Sequence, residues 1–192
     1  MSSQSARPTS RPATYADIEA LPPHVTGELI FSALHTHRRP TPRHGEAASV
    51  LQAEIQNSFG RKRGIPGGWI IQVEPELHLG PHVVVPDIGG WRAETLPRLP
   101  KTAYFEAAPD WLAEVLSPST SKIDRTSKLQ IYAEYRVKHL WYVDPVIRTL
   151  EVFGLSGTNY SIVATFKDED IIAAPPFETH SFDLTSLWQD DD

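Results

Sequence analysis

The chain has 192 residues, 40% of them hydrophobic, a formal net charge of −6 and no cysteine. That length buries one good core but hardly two, and the missing thiols exclude disulfides and thiolate metal centres. The acidic balance excludes a protein that coats nucleic acid with its whole surface, because phosphate binding draws on Lys and Arg clusters.

No run approaches the roughly 18 apolar residues of a membrane span, so the expectation is a cytoplasmic protein without membrane contact. The first stretch, rich in Ser, Pro and Arg, lacks the apolar segment of a signal peptide. It reads as a disordered tail over 1–13, followed by a single domain over 14–188 and an acidic tail over 189–192. The densest basic stretches, at Arg38, Arg39 and Arg43, at Arg61, Lys62 and Arg63, and at Lys122, Arg125 and Lys128, read as solvated faces. Any nucleic-acid contact must therefore be local.

Thr14, with Asp17 three residues later, predicts the start of a short helix that Pro22-Pro23 ends. Gly27 to Leu34 reads as a strand. After a turn at Pro40 to Arg43, the apolar positions Ala47, Val50, Leu51, Ile55 and Phe59 recur at helical spacing up to Gly64. They predict one amphipathic helix of about four to five turns. From Trp69 to Leu79 the period changes to two, with Gln72 and Glu74 on the polar side, where solvent exposure is the expectation and lining of a cleft the alternative. Gly80-Pro81 turns this strand into a second one over Val83 to Val85.

Asp87 follows Pro86 at the end of that strand, and Gly89 to Pro109 reads as a loop with one short helical piece. Asp110 to Leu116 is again strand-like, and Ser117 to Thr120 supply a break and a cap for a helix over Ser121 to Tyr135. His139 to Val143, Arg148 to Phe153, Tyr160 to Phe166 and Ser181 to Leu184 read as further strands. This order predicts an α/β domain with a central mixed β-sheet flanked by α-helices, not a doubly wound parallel one.

On Asp110 to Leu116, alternation puts Trp111, Ala113 and Val115 on one face and Leu112, Glu114 and Leu116 on the other. Glu114 is thus an acid among apolar neighbours, an expensive arrangement unless it is paired or holds a metal. A salt bridge to Lys128 or Arg125 is the plain alternative. Asp87 alone would be a turn former, but two carboxylates on neighbouring strands offer hard oxygen ligands suited to Mg²⁺ or Mn²⁺. His44 opens the long helix, where its side chain either reaches the cleft of these carboxylates or merely caps the turn; with His35 and His37 it raises zinc, although the spacing is irregular for it.

The strings Gly27-Glu28-Leu29, Pro42-Arg43-His44, Val85-Pro86-Asp87-Ile88, Glu114-Val115-Leu116-Ser117-Pro118-Ser119-Thr120 and Trp141-Tyr142-Val143-Asp144-Pro145, with Asp124, Lys128 and Tyr132, carry a further signal. In combination they resemble the Uma-two family of restriction-endonuclease-like proteins, a branch of the PD-(D/E)xK nuclease superfamily, from about Thr14 to Trp188. The resemblance implies metal-dependent cleavage of DNA phosphodiesters. It implies Asp87 and Glu114 as metal ligands, the Val115 carbonyl as another, and Glu28 as an outer acid.

The parent motif places its lysine two residues after the acid, where this chain has Leu116. Lys128, on the following helix, is the substitute the resemblance implies. The plain alternative is an exposed Asp124 to Lys128 pair, worth roughly 0.3–0.5 kcal/mol. Other readings are a catalytically silent nuclease fold acting as a DNA-binding or partner-binding module, and a hydrolase of another phosphodiester. Exposed sheet edges and the side chains of Trp69, Trp91, Trp141 and Trp188 predict a homodimer.

Overall fold

The computed structural model describes residues 11–38, 40–61 and 68–188. Of the tails expected over 1–13 and 189–192, residues 1–10 and 189–192 lie outside these residues, as does the approach to Gly64. Helix α1 (Tyr15–Glu19) is followed by strands β1 (Val25–Ile30) and β2 (Ala33–Arg38), then by the long α2 (Pro42–Phe59). Four short strands come next: β3 (Trp69–Val73), β4 (Leu77–Leu79), β5 (His82–Val84) and β6 (Ile88–Arg92). Strand β7 (Trp111–Val115) leads into a helical stretch made of α3 (Ser121–Ile123), a π-helical turn (Asp124–Lys128) and α4 (Leu129–Glu134). Strands β8 (His139–Asp144), β9 (Thr149–Ser156) and β10 (Asn159–Lys167) follow, and the small pair β11 (Ile171–Ile172) and β12 (Phe182–Asp183) closes the order.

The main sheet runs β10-β9-β8-β7-β6-β3. Only β7 and β8 are parallel in it, and the helical stretch between them makes that crossover, as a parallel pair requires. The sheet is therefore mixed, as the element order predicts. A second sheet, β2-β1-β5-β4, stands beside it. Among the described residues no helix is long and apolar enough to cross a membrane.

Alternation on β7 divides the core in two. Trp111, Ala113 and Val115 join Ala47, Leu51 and Ile55 of α2 in one cluster, while Leu112 and Leu116 join Ile131 and Tyr132 of α4 in the other. Helix α2 starts earlier than its apolar spacing suggests because Thr41 Oγ1 caps it, accepting from the His44 backbone N–H at 3.4 Å, and Pro42 fits its first turn. All four tryptophans expected to face a partner are buried: Trp91 and Trp141 fully, Trp69 and Trp188 nearly so. They fill the protomer's own core.

Three elements differ from the sequence expectation, each for a local reason. The strand expected over Gly27 to Leu34 is a hairpin, reversed at Phe31 and Ser32 with φ of 48° and 63°. Neither residue belongs to the Asn-Gly type that signals such a turn. The strand expected over Trp69 to Leu79 is two strands in different sheets, broken at Glu74, whose φ is 45°, and at Pro75. The loop expected from Gly89 onward begins as β6. Its glycines are there for close approach: a Cβ at Gly90 would stand 2.9 Å from the Trp111 ring.

Candidate functional site

Where the two sheets meet, one cleft is lined by Glu28, His37, His44, Asp87, Glu114 and Lys128, with Glu74, Asp124 and the Ser117 to Thr120 loop at its margins. Each side chain is fixed by the element that carries it. Glu28 sits on β1 and its Oε1 accepts the Val85 backbone N–H at 2.7 Å, which ties the small sheet to the segment leading to Asp87. Asp87 lies in the short link between β5 and β6, and its Oδ2 accepts the Val115 backbone N–H at 2.7 Å. One Asp87 oxygen is thereby anchored to the end of β7, directly beside Glu114.

Lys128 Nζ lies 2.7 Å from Glu114 Oε1, 3.2 Å from Glu28 Oε1 and 3.3 Å from Asp124 Oδ1. Tyr132 donates its hydroxyl to the same Glu114 oxygen at 2.6 Å. Lys128, Glu28, Glu114 and Asp124 are each 2–3% exposed. Lys122 and Arg125 are exposed, as a solvated basic face requires, but Lys128 is not, and the exposed Asp124 to Lys128 pair is overturned. The π-helical turn and α4 put Asp124, Lys128 and Tyr132 on the side facing β7, where a lysine among apolar neighbours needs partners. Arg125 turns the other way and pairs with Glu151. Leu116, in the parent motif's lysine position, is 3% exposed and belongs to the apolar cluster with Tyr132.

Three carboxylates around one ammonium leave the buried cluster short of positive charge, and the proton affinities show it. Burial pushes the Glu114 carboxyl well up; Lys128 opposes this, while the charges of Asp124, Asp87 and Glu28 add to it. Asp124 is also raised, by burial first and against Lys128. Burial would raise Glu28 too, but Lys128, His37 and the Val85 N–H together bring it down to about 2. The Lys128 ammonium is held well above its ordinary value, since Glu114 and Glu28 outweigh its desolvation.

At the cleft wall, His44 Nε2 stands 3.4 Å from Asp87 Oδ1, and His37 Nε2 stands 3.5 Å from Glu28 Oε2. Asp87 and its hydrogen bond oppose the desolvation of His44 and raise the imidazole. Glu74 is exposed at the cleft margin, whereas Gln72 donates to the Ile71 carbonyl. His35 sits opposite Glu28 in the β1–β2 register.

Sequence reasoning singled out Glu28, Asp87, Glu114 and Lys128, and the structure brings all four to one cleft, with Val115 anchoring Asp87. It weighed His37 only with His35 and His44 for zinc, gave Asp124 no part beyond a pair with Lys128, and gave Tyr132 no part of its own. Asp124, Lys128 and Tyr132 recur every four residues on one helix, a signal for a shared face. His37 became legible only through the hairpin, which makes it a diagonal neighbour of Glu28.

A mixed sheet whose central strand carries a buried acid beside an anchored aspartate and a lysine defines an α/β protein of the restriction-endonuclease type. The chain belongs to the Uma2 family, described as "Putative restriction endonuclease", whose model matches residues 13–185. It is similar in structure to "a putative nuclease belonging to DUF820" from Anabaena variabilis ATCC 29413. The two share 22% identity at a TM-score of 0.73, over 92% of this chain and 97% of that one. No curated protein matches the sequence.

Proposed function

We propose that this protein is a divalent-metal-dependent endonuclease that hydrolyses DNA phosphodiester bonds. In this reading Asp87, Glu114 and the Val115 carbonyl hold Mg²⁺ or Mn²⁺, Glu28 is an outer acid, and Lys128 contacts the scissile phosphate. The observation that carries the reading is the enclosure of the Lys128 ammonium by Glu28, Glu114 and Asp124 in the cleft that also holds Asp87.

The donor set suits a hard divalent cation. Asp87 keeps Oδ1 toward the cleft while Oδ2 is tied to Val115, and the buried acids outnumber their one ammonium. A bound ion would lower the pKa of a water and neutralise charge on a phosphoryl group. The protein's own groups do the rest. Tyr132 fixes the Glu114 carboxylate, and the Val115 N–H fixes Asp87, so neither acid must be ordered when substrate arrives. Lys128 has three N–H donors and three carboxylate neighbours. A phosphate oxygen that takes the place of one carboxylate gains a charged donor in a site sheltered from water.

A second reading, a catalytically silent nuclease fold that binds nucleic acid or a partner, draws on one feature. Among the described residues no three His, Asp or Glu side chains stand ready as a metal-ligand set. Titrating Mg²⁺ and Mn²⁺ against cleavage of plasmid and oligonucleotide DNA separates the two. Cleavage that needs the ion and disappears in Glu114→Gln supports the nuclease; DNA binding without cleavage at any ion concentration supports the silent fold. RNA and small cyclic phosphodiesters as competitors test the choice of DNA.

A further inference from the structure

His44 opens α2, where the Thr41 cap fixes the backbone of the first turn. Its side chain is 11% exposed. One ring nitrogen, Nε2, stands 3.4 Å from Asp87 Oδ1; the other, Nδ1, is buried and has no hydrogen-bond partner among the described residues. As a structural ion pair this is a poor arrangement. A charge-assisted N–H to carboxylate bond closes to about 2.7–2.9 Å, shorter than this contact.

The same spacing suits two ligands of one ion. Donors held at about 2.1 Å from a metal lie about 3.0 Å apart when cis in an octahedron and about 3.4 Å apart in a tetrahedron. Asp87 Oδ2 is already committed to the Val115 N–H, so Oδ1 is the oxygen it has left for a ligand. Aspartate and imidazole therefore face the same corner of the cleft.

We infer that His44 is a metal ligand beside Asp87 and the Val115 carbonyl, so that the site takes Mn²⁺ in preference to Mg²⁺. This rests on the reading of the cleft as a divalent-cation site and adds a nitrogen ligand to it. Imidazole suits Mn²⁺ and the later first-row ions better than Mg²⁺, which keeps to oxygen, while the carboxylate and carbonyl oxygens keep the site hard enough for Mn²⁺.

The test is Mn²⁺ and Mg²⁺ binding to the full chain without nucleic acid, by calorimetry, with pulsed electron paramagnetic resonance of the Mn²⁺ complex. The parent protein is expected to bind Mn²⁺ at least about tenfold more tightly than Mg²⁺ and to show coupling from a directly bound imidazole ¹⁴N. The coupling should vanish in His44→Ala and His44→Gln and persist in His37→Ala, and His44→Ala should lose about 10–100-fold in Mn²⁺ affinity. Mn²⁺ bound without ¹⁴N coupling in the parent overturns the His44 assignment and leaves the metal site standing, whether or not the variants fold. Coupling that survives in His44→Gln but disappears in His37→Ala also overturns it. Failure of the parent to bind either ion at millimolar concentration overturns this inference and the metal-site reading together.

Discussion

Lys128 Nζ sits 2.7 Å from Glu114 Oε1 although the two come from different elements, a π-helical turn and the central strand β7. The lysine is the ammonium at the centre of the buried acids, so its loss should be felt by the fold as well as by the chemistry. Lys128→Ala leaves Glu28, Glu114 and Asp124 without it. Breaking a buried pair in this way costs about 3–5 kcal/mol. Thermal melts in EDTA should show that loss, and Mn²⁺ should recover part of it, because an ion bound only by the native state stabilises it. Turnover should fall even where the variant is fully folded. A melting point equal to the parent's in EDTA would show that Lys128 is dispensable to the acid cluster.

Glu114→Gln should behave in the opposite way without metal. Burial and the neighbouring carboxylates already oppose its charge. The amide oxygen can still accept from Tyr132 and Lys128, while Glu28 and Asp124 remain to balance the ammonium. Stability in EDTA should therefore be unchanged or raised. Saturating Mn²⁺ should stabilise the parent more than the variant, and metal-dependent cleavage should fall at least about a hundredfold, the scale on which loss of one charge-stabilising group is felt. Equal destabilisation with and without metal would mark Glu114 as a salt-bridge residue only.

The sheet and the acid pair were legible because they rest on short-range pattern. Period two on β7 placed Glu114 on the face opposite Trp111 and Val115, and Pro86 marked the strand end beside Asp87. The surroundings of Lys128 were not legible in that way. Nothing local distinguishes a buried Asp124 to Lys128 pair from an exposed one; what buries it is Glu28, brought across from another sheet by a hairpin with no glycine in its turn. The tryptophans misled for a related reason. Their number suggested surplus apolar surface, but the two faces of β7 and the segment around Phe177 enclose them.

Glu28 gives the site a pH signature. Its folded value of about 2 lies below the ordinary 4.5, so its carboxylate contributes stability that is present above about pH 4.5 and is lost as the pH falls toward 2. The shift corresponds to roughly 3 kcal/mol. Glu114, raised by burial, acts in the opposite sense, so the informative quantity is the difference between parent and Glu28→Gln. Denaturant unfolding should show Glu28→Gln less stable than the parent at pH 7 and nearly equal to it near pH 2. A difference that does not change with pH would mean that Glu28 acts by packing and not by charge.

Leu116 tests whether the lysine has moved to the helix or merely been lost from the strand. The parent motif would place its lysine here, yet Leu116 is 3% exposed, shares a cluster with Leu112, Ile131 and Tyr132, and donates its backbone N–H to Val143 at 2.7 Å. Leu116→Lys would push an ammonium into that cluster unless it reached Glu114, whose Oε1 already receives Lys128 and Tyr132. In the parent background it should destabilise by at least about 3 kcal/mol, the scale of an uncompensated buried charge. In a Lys128→Ala background the Glu114 oxygen is open to it, so the double variant is the decisive one. With Leu116 packed away from the cleft, the new lysine should restore neither the melting point nor metal-dependent cleavage. Recovery of both would show that the strand position still commands the site and that Lys128 is one of two equivalent anchors for the same charge.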